Sequence, residues 1–186
     1  MARLRPSLPA WSRPGLTLIE LIVVLSILGL FVGWAFLNLS GVLRRHTFRA
    51  AAQEFTSTLQ TAVMSAAESD RRYEVIIDLP QQTYLLREIT TPDLSEVLDE
   101  EILVQGAFGR KCRVSYVQFD DLESTREDRA KFRAGHAGWQ YGGKIVLLDE
   151  DDQPHTVLVH RINRTIELVD GDVDLATPKD KESMVF

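Results

Sequence analysis

The chain has 186 residues, a formal net charge of −6 and a single cysteine, Cys112. That length leaves room for one domain beside a membrane segment, and one cysteine excludes an intramolecular disulfide framework. Charge is unevenly spread: through Arg49 the only acid is Glu20 against six arginines, whereas from Ala50 onward 15 Lys and Arg face 26 Asp and Glu, a net of −11. Such a domain is poorly suited to a phosphate backbone, which is bound by clustered cations.

Residues 1–15 carry Arg3, Arg5 and Arg13, and Pro6, Pro9 and Pro14 prevent a helix from extending through them. From Leu16 to Leu39, 16 of 24 residues are Leu, Ile, Val or Phe, and Glu20 is the only charge. As a helix this run spans a hydrocarbon core of about 30 Å. Its apolar residues favour insertion by about 5–10 kcal/mol, which outweighs a cost of roughly 3 kcal/mol for a carboxylate at depth. Three arginines precede the run and three follow it, so they leave its orientation undecided. A secretory signal places its cleavage site after the apolar core; here Gly15-Leu16 lies before it.

The order Gly15, Leu16, Thr17, Leu18, Ile19, Glu20, Leu21, followed by an apolar helix with no other charge, resembles the type IV prepilin signal. The resemblance implies that residues 1–15 are a leader removed by prepilin peptidase between Gly15 and Leu16. It also implies methylation of the new terminus at Leu16, which stands where the family usually has Phe. Glu20 would then pair with the terminal amine of a neighbouring subunit. A buried carboxylate is strongly disfavoured alone and tolerable when matched by a cation. The competing reading is a membrane helix whose Glu20 snorkels to the headgroups.

No proline interrupts residues 16–79. The membrane segment 16–43 therefore continues into an amphipathic segment 44–69. There Phe48, Ala52, Phe55, Leu59, Ala62, Val63 and Ala66 recur at intervals of three and four, opposite Arg49, Gln53, Ser57 and Gln60. A helix of about 50 residues is about 75–80 Å long. The stripe is too short for a heptad seam, so it is expected to lie on the chain's own sheet. Gly29 and Gly33, four apart, form a candidate small-xxx-small packing face.

Beyond Ser69 the period shortens. Tyr73–Leu79 and Thr83–Ile89 flank Pro80-Gln81-Gln82 as a hairpin, and 91–101 is acidic and loop-like. Ile102–Phe108 and Cys112–Phe119 are strand candidates. Asp120–Arg133 alternates charges and reads as an exposed loop or a short helix. Residues 136–143 are glycine-punctuated. Lys144–Leu148, Thr156–His160 and Thr165–Val169 form a terminal trio, joined by Asp149–Pro154 and a turn near Asn163-Arg164. The expected fold is α+β and pilin-like: a long N-terminal transmembrane and amphipathic helix packed on an antiparallel β-sheet domain at 70–170, with a polar tail at 171–186. The helix stripe and the strand trio are similar to the GspH/FimT group of minor pseudopilins and minor pilins.

No catalytic constellation is legible, and no enzymatic activity, metal or cofactor is expected. His46, His136, His155 and His160 include no helical ligand pair, and Cys112 has no partner cysteine. Cys112 reads as a small buried hydrophobe. Asp149-Glu150-Asp151-Asp152 lacks the spaced oxygens and glycine turn of a calcium loop and reads as a solvated turn. Arg126–Arg133 is the one cationic patch holding an aromatic, but its interleaved acids and the −11 oppose nucleic-acid binding. The resemblance implies a single-pass protein of the bacterial inner membrane with a periplasmic C-terminal domain. Its implied partners are prepilin peptidase, membrane lipid and sister subunits. The expected role is a minor pseudopilin of a type II secretion system; the alternative is a FimT-like minor pilin of a type IV pilus, acting in pilus biogenesis or DNA uptake.

Overall fold

The computed structural model describes residues 17–91, 97–161 and 164–175, without the side chains of 37–44. The leader, Gly15, Leu16, the middle of the acidic loop, Asn163 and the chain beyond 175 lie outside the described residues. One helix, α1 (Leu18–Glu68), contributes to two compact units that divide between Val42 and Leu43. In the first unit Leu18–Phe36 is long and apolar enough to cross a membrane, and its side chains are exposed along its whole length.

In the second unit the predicted stripe of α1 is buried without exception. Phe48 is 4% exposed, and Ala52, Phe55, Leu59, Ala62, Val63 and Ala66 are fully buried. Arg49, Gln53, Ser57 and Gln60 are exposed on the other face. The helix ends where the Ser69 hydroxyl donates to the Ser65 carbonyl and Asp70 takes a positive φ of 31°, turning the chain into the first strand.

Among the described residues ten strands follow: β1 (Arg72–Asp78), β2 (Thr83–Ile89), β3 (Ile102–Ala107), β4 (Cys112–Phe119), β5 (Ser124–Thr125), β6 (Arg129–Gly135), β7 (Gly138–Trp139), β8 (Gly143–Asp149), β9 (Pro154–Val159) and β10 (Ile166–Asp170). They form two five-stranded sheets, β3-β2-β1-β6-β7 and β10-β9-β8-β4-β5, with antiparallel pairing throughout. The expected helix-then-strands order is present, but the strands divide between two sheets instead of making one.

The main departure from the sequence expectation is β6. Residues 129–135 are a strand in the interior of the first sheet, paired to β1 and β7, and neither a loop nor a helix. Its period-two signal is weak because the inward side chains are Ala130, Phe132 and Ala134, only one of them large, while Arg129, Lys131 and Arg133 dominate the composition.

Both sheets and α1 share one core. The Phe55 ring sits 5.0 Å from the rings of Tyr84 and Phe108, and Phe119 of the second sheet lies 5.0 Å from Phe132 of the first. A polar rivet joins the sheets as well. Gln82, in the β1–β2 turn at a φ of 53°, accepts from the Val114 N–H at 2.8 Å and donates to the Val114 carbonyl at 2.9 Å. Val114 borders a register shift in β4, so the Gln82 amide satisfies backbone groups there.

Candidate functional site

The first candidate is the start of α1. The Glu20 N–H donates to the Thr17 hydroxyl at 3.3 Å, and the Leu21 N–H to the Thr17 carbonyl at 3.2 Å. Thr17 is thus the N-cap of the helix, and Glu20 occupies the third helical position, the spacing of a capping box. Sequence reasoning assigned Glu20 to a neighbour's amine and overlooked this local role, although the Thr-x-x-Glu spacing signals it. A carboxylate in the first turn also complements the helix dipole. Glu20 is the only charged residue of the run 18–36, and its surroundings in this single chain are open.

Gly29 and Gly33 lie further along the same run. A Cβ built at either glycine meets nothing within 4 Å. No contact among the described residues requires glycine at these positions, and both leave the backbone accessible to close approach.

The charged groups of the domain are arranged in ways the sequence did not reveal. On the face of the first sheet turned away from α1, Arg87 is 1% exposed and Glu74 is fully buried. Arg87 Nε donates to Glu74 Oε2 at 2.8 Å, and Arg133 Nε to Glu74 Oε1 at 2.7 Å. Glu101, in a 3-10 turn at Asp99–Glu101, receives Arg87 Nη1 at 3.2 Å and the Thr90 N–H at 3.1 Å. The Thr90 hydroxyl's hydrogen bond holds the Glu101 carboxyl below its ordinary range, against the opposing effect of burial. The 3-10 turn before β3 is therefore pinned over the sheet by its last residue. The hairpin register 74↔87 was the available signal.

The second sheet carries a counterpart. Lys144, 2% exposed, donates to Asp172 at 2.7 Å and to the Val173 carbonyl at 3.0 Å, and Asp172 also accepts from the Tyr116 hydroxyl at 2.7 Å. Burial pulls the Lys144 pKa down, but these partners raise it overall. Residues 172–173, expected to belong to a polar tail, instead close over this lysine.

The remaining sequence candidates are dispersed. Asp149 accepts from the N–H groups of Asp151 and Gln153 at 2.9 and 2.8 Å, and Asp152 pairs with Arg113, so this acidic loop is occupied by its own turn. Among the described residues no three His, Cys, Asp or Glu side chains converge as metal ligands. His155 stacks on Phe48 at 4.2 Å with Asp170 2.9 Å away, whereas His160 lies 4.0 Å from Glu167; His46 and His136 are exposed elsewhere. Cys112 is fully buried, as expected, and burial pushes its thiol up to about 12. In the patch at Arg126–Arg133, Arg126 lies over Tyr116, Arg129 pairs with Asp78 and Arg133 with Glu74. Phe132 points into the core and is unavailable for stacking.

Residues 12–36 match the family described as the prokaryotic N-terminal methylation motif. No curated protein sequence matches the chain. Among solved structures, the fold is similar to the minor pseudopilin EpsH from the Type 2 Secretion System of Vibrio cholerae, with 14% sequence identity over 66% of this chain and 96% of that one, and a TM-score of 0.48.

Proposed function

From a prepilin-type methylation motif on an N-terminal apolar helix that leads into an antiparallel-sheet domain, we propose that this protein is a minor pseudopilin of a type II secretion system. On this reading the leader is cut after Gly15, Leu16 is methylated, and the chain is held in the bacterial inner membrane with its domain in the periplasm. Prepilin peptidase processes it, and sister subunits take it into a short filament. The role is positional, not catalytic: Leu18–Phe36 packs among neighbouring stems, with Gly29 and Gly33 allowing close approach, and the domain meets partners.

Glu20 carries this reading, being the single charge in an exposed apolar run that lies within the matched motif. In a stack of subunits the next chain's free amine, at Leu16, neutralises it. Replacement by glutamine separates the two roles Glu20 can have. Glutamine serves a capping box as glutamate does, but it cannot match an amine's charge. Glu20→Gln is therefore expected to be inserted and processed normally yet to be left out of filaments when co-expressed with wild type. Incorporation at the wild-type level would refute the pairing.

The domain's net charge of −11 favours secretion over a FimT-like part in DNA uptake. Loss of protein export in a deletion strain supports the secretion reading. Intact export together with a salt-dependent DNA shift by the full chain supports the pilus reading instead.

A further inference from the structure

In one cleft of this acidic domain the charged side chains among the described residues are all basic. It has a volume of about 620 Å³ and lies where the start of β1, the β6–β7 turn and the segment after β9 meet. Its charged walls are Arg72, Arg133 and Arg161, with His136 beside them, and no Asp or Glu among the described residues lines it. By contrast, the cleft near the β1–β2 turn mixes Asp78, Glu127 and Asp128 with Arg129 and Lys131.

The arginines differ in how much of their charge is already committed. Arg71, next to Arg72, is held by both oxygens of Glu88, at 2.8 and 3.0 Å. Arg133 gives its Nε to Glu74, which fixes the guanidinium at the cleft wall while its side chain stays 31% exposed. Among the described residues neither Arg72 nor Arg161 has a carboxylate partner. Trp139, also lining the cleft and 3% exposed, has no acceptor for its indole N–H among the described residues. The wall is thus rich in donors. Its shape depends on Gly138, at a φ of +117°, where an added Cβ would stand 2.9 Å from the Arg161 carbonyl oxygen. This close approach brings the segment carrying Arg161 against the hairpin that carries Arg133.

Guanidinium groups suit planar, two-oxygen anions because their N–H donors form a rigid fork. We propose that this cleft is a receptor for a carboxylate-bearing, acidic segment of another polypeptide. A cleft of this volume takes the side chains of an extended segment, whereas a nucleic-acid duplex is read by a basic surface that tracks its phosphates. The −11 of the surrounding domain repels any polyanion, so the attraction is confined to the cleft. The inference goes beyond the filament reading and does not depend on it.

The test uses the detergent-solubilised full chain and fluorescence anisotropy of a rhodamine-labelled hexaglutamate peptide, with a hexaglutamine peptide as the neutral probe. Hexaglutamate is expected to bind at low salt, to weaken as salt rises, and to outcompete hexaglutamine. Arg72→Gln combined with Arg161→Gln is expected to weaken binding by about tenfold or more. Among the described residues neither arginine has an ion pair to lose, so the variant should melt like wild type. Arg110→Gln, an exposed arginine outside the cleft, should bind as wild type does. Absence of hexaglutamate binding, equal binding by the double variant, or an equal loss in Arg110→Gln would overturn the assignment. Displacement of the peptide by inorganic phosphate or a short DNA duplex at equal concentration would likewise overturn it, in favour of a phosphate site.

Discussion

Glu74 and Arg87 stand directly opposite each other on β1 and β2, with Arg87 Nη2 2.6 Å from Glu74 Oε2 and neither side chain more than 1% exposed. Arg133 meets the same carboxylate from the other neighbouring strand, and Glu101 supplies a second anion to Arg87. The cluster holds two arginines and two glutamates, so its formal charges cancel. It also ties β1, β2, β6 and the segment before β3 together on the sheet face turned away from α1.

Breaking this cluster on one side should cost far more than replacing its buried charges together. Arg87→Ala leaves two buried carboxylates without their shared cation, and urea denaturation of the detergent-solubilised chain should show a loss of about 3–5 kcal/mol. Arg87→Met together with Glu74→Leu and Glu101→Gln should recover much of that loss, because no buried carboxylate is then left without a cation. A single variant that loses less than about 1 kcal/mol would contradict this account.

The Gln82 side chain should prove as structural as a core residue. Its amide satisfies both backbone groups of Val114 and donates to the Leu79 carbonyl at 2.8 Å. Gln82→Ala removes this partner from both Val114 groups in a partly buried place, at about 1–3 kcal/mol. Gln82→Glu, which keeps the acceptor but loses the donor, should cost an intermediate amount near neutral pH. Thermal melts of the two variants beside wild type measure the order.

Acid should destabilise the domain in a defined direction. The Gln81 N–H, then Arg129, lowers the Asp78 pKa against burial. Burial raises the pKa values of Asp149 and Asp172, but the Gln153 and Asp151 N–H groups and His155 more than offset it at Asp149, as Lys144 and Tyr116 do at Asp172. Each carboxyl has a lower pKa folded than unfolded. Its contribution is therefore present above the ordinary carboxylate range and is lost as the pH falls through that range to the lowered value. The urea midpoint should hold from neutrality to about pH 5 and then fall. Asp172→Asn should flatten part of that fall, and an unchanged pH slope in this variant would count against the Lys144 clasp.

Cys112 should report on the native fold. Burial pushes its thiol pKa up from an ordinary 9.0 to about 12, and the thiolate is the reactive form. At pH 8 iodoacetamide should leave the folded chain unlabelled and modify it fully in urea. Because the folded pKa is the higher one, this thiol's contribution to stability is complete below about pH 9 and declines as the pH rises towards 12. Rapid labelling of the native chain would show that β4 opens readily.

Local pattern alone identified the apolar stem, the stripe from Phe48 to Ala66 and the order of helix before strands. The stem is set by an unbroken apolar run and the stripe by its period along one stretch of chain, and burial of the stripe follows that period residue by residue. The pairing of strands was another matter. Whether β6 is a strand depended on β1 being there to receive it, because Ala130, Phe132 and Ala134 carry too little apolar surface to announce a buried face. The Glu74–Arg87–Glu101–Arg133 cluster and the cationic cleft exist only after distant segments are brought together: residues 72, 133 and 161 share no spacing along the chain. Periodicity records which way a side chain faces, whereas charge complementarity between strands is created by register and by the close approach at Gly138. The stem was therefore legible in the sequence, and the pairing of the domain's charged side chains became definable only in three dimensions.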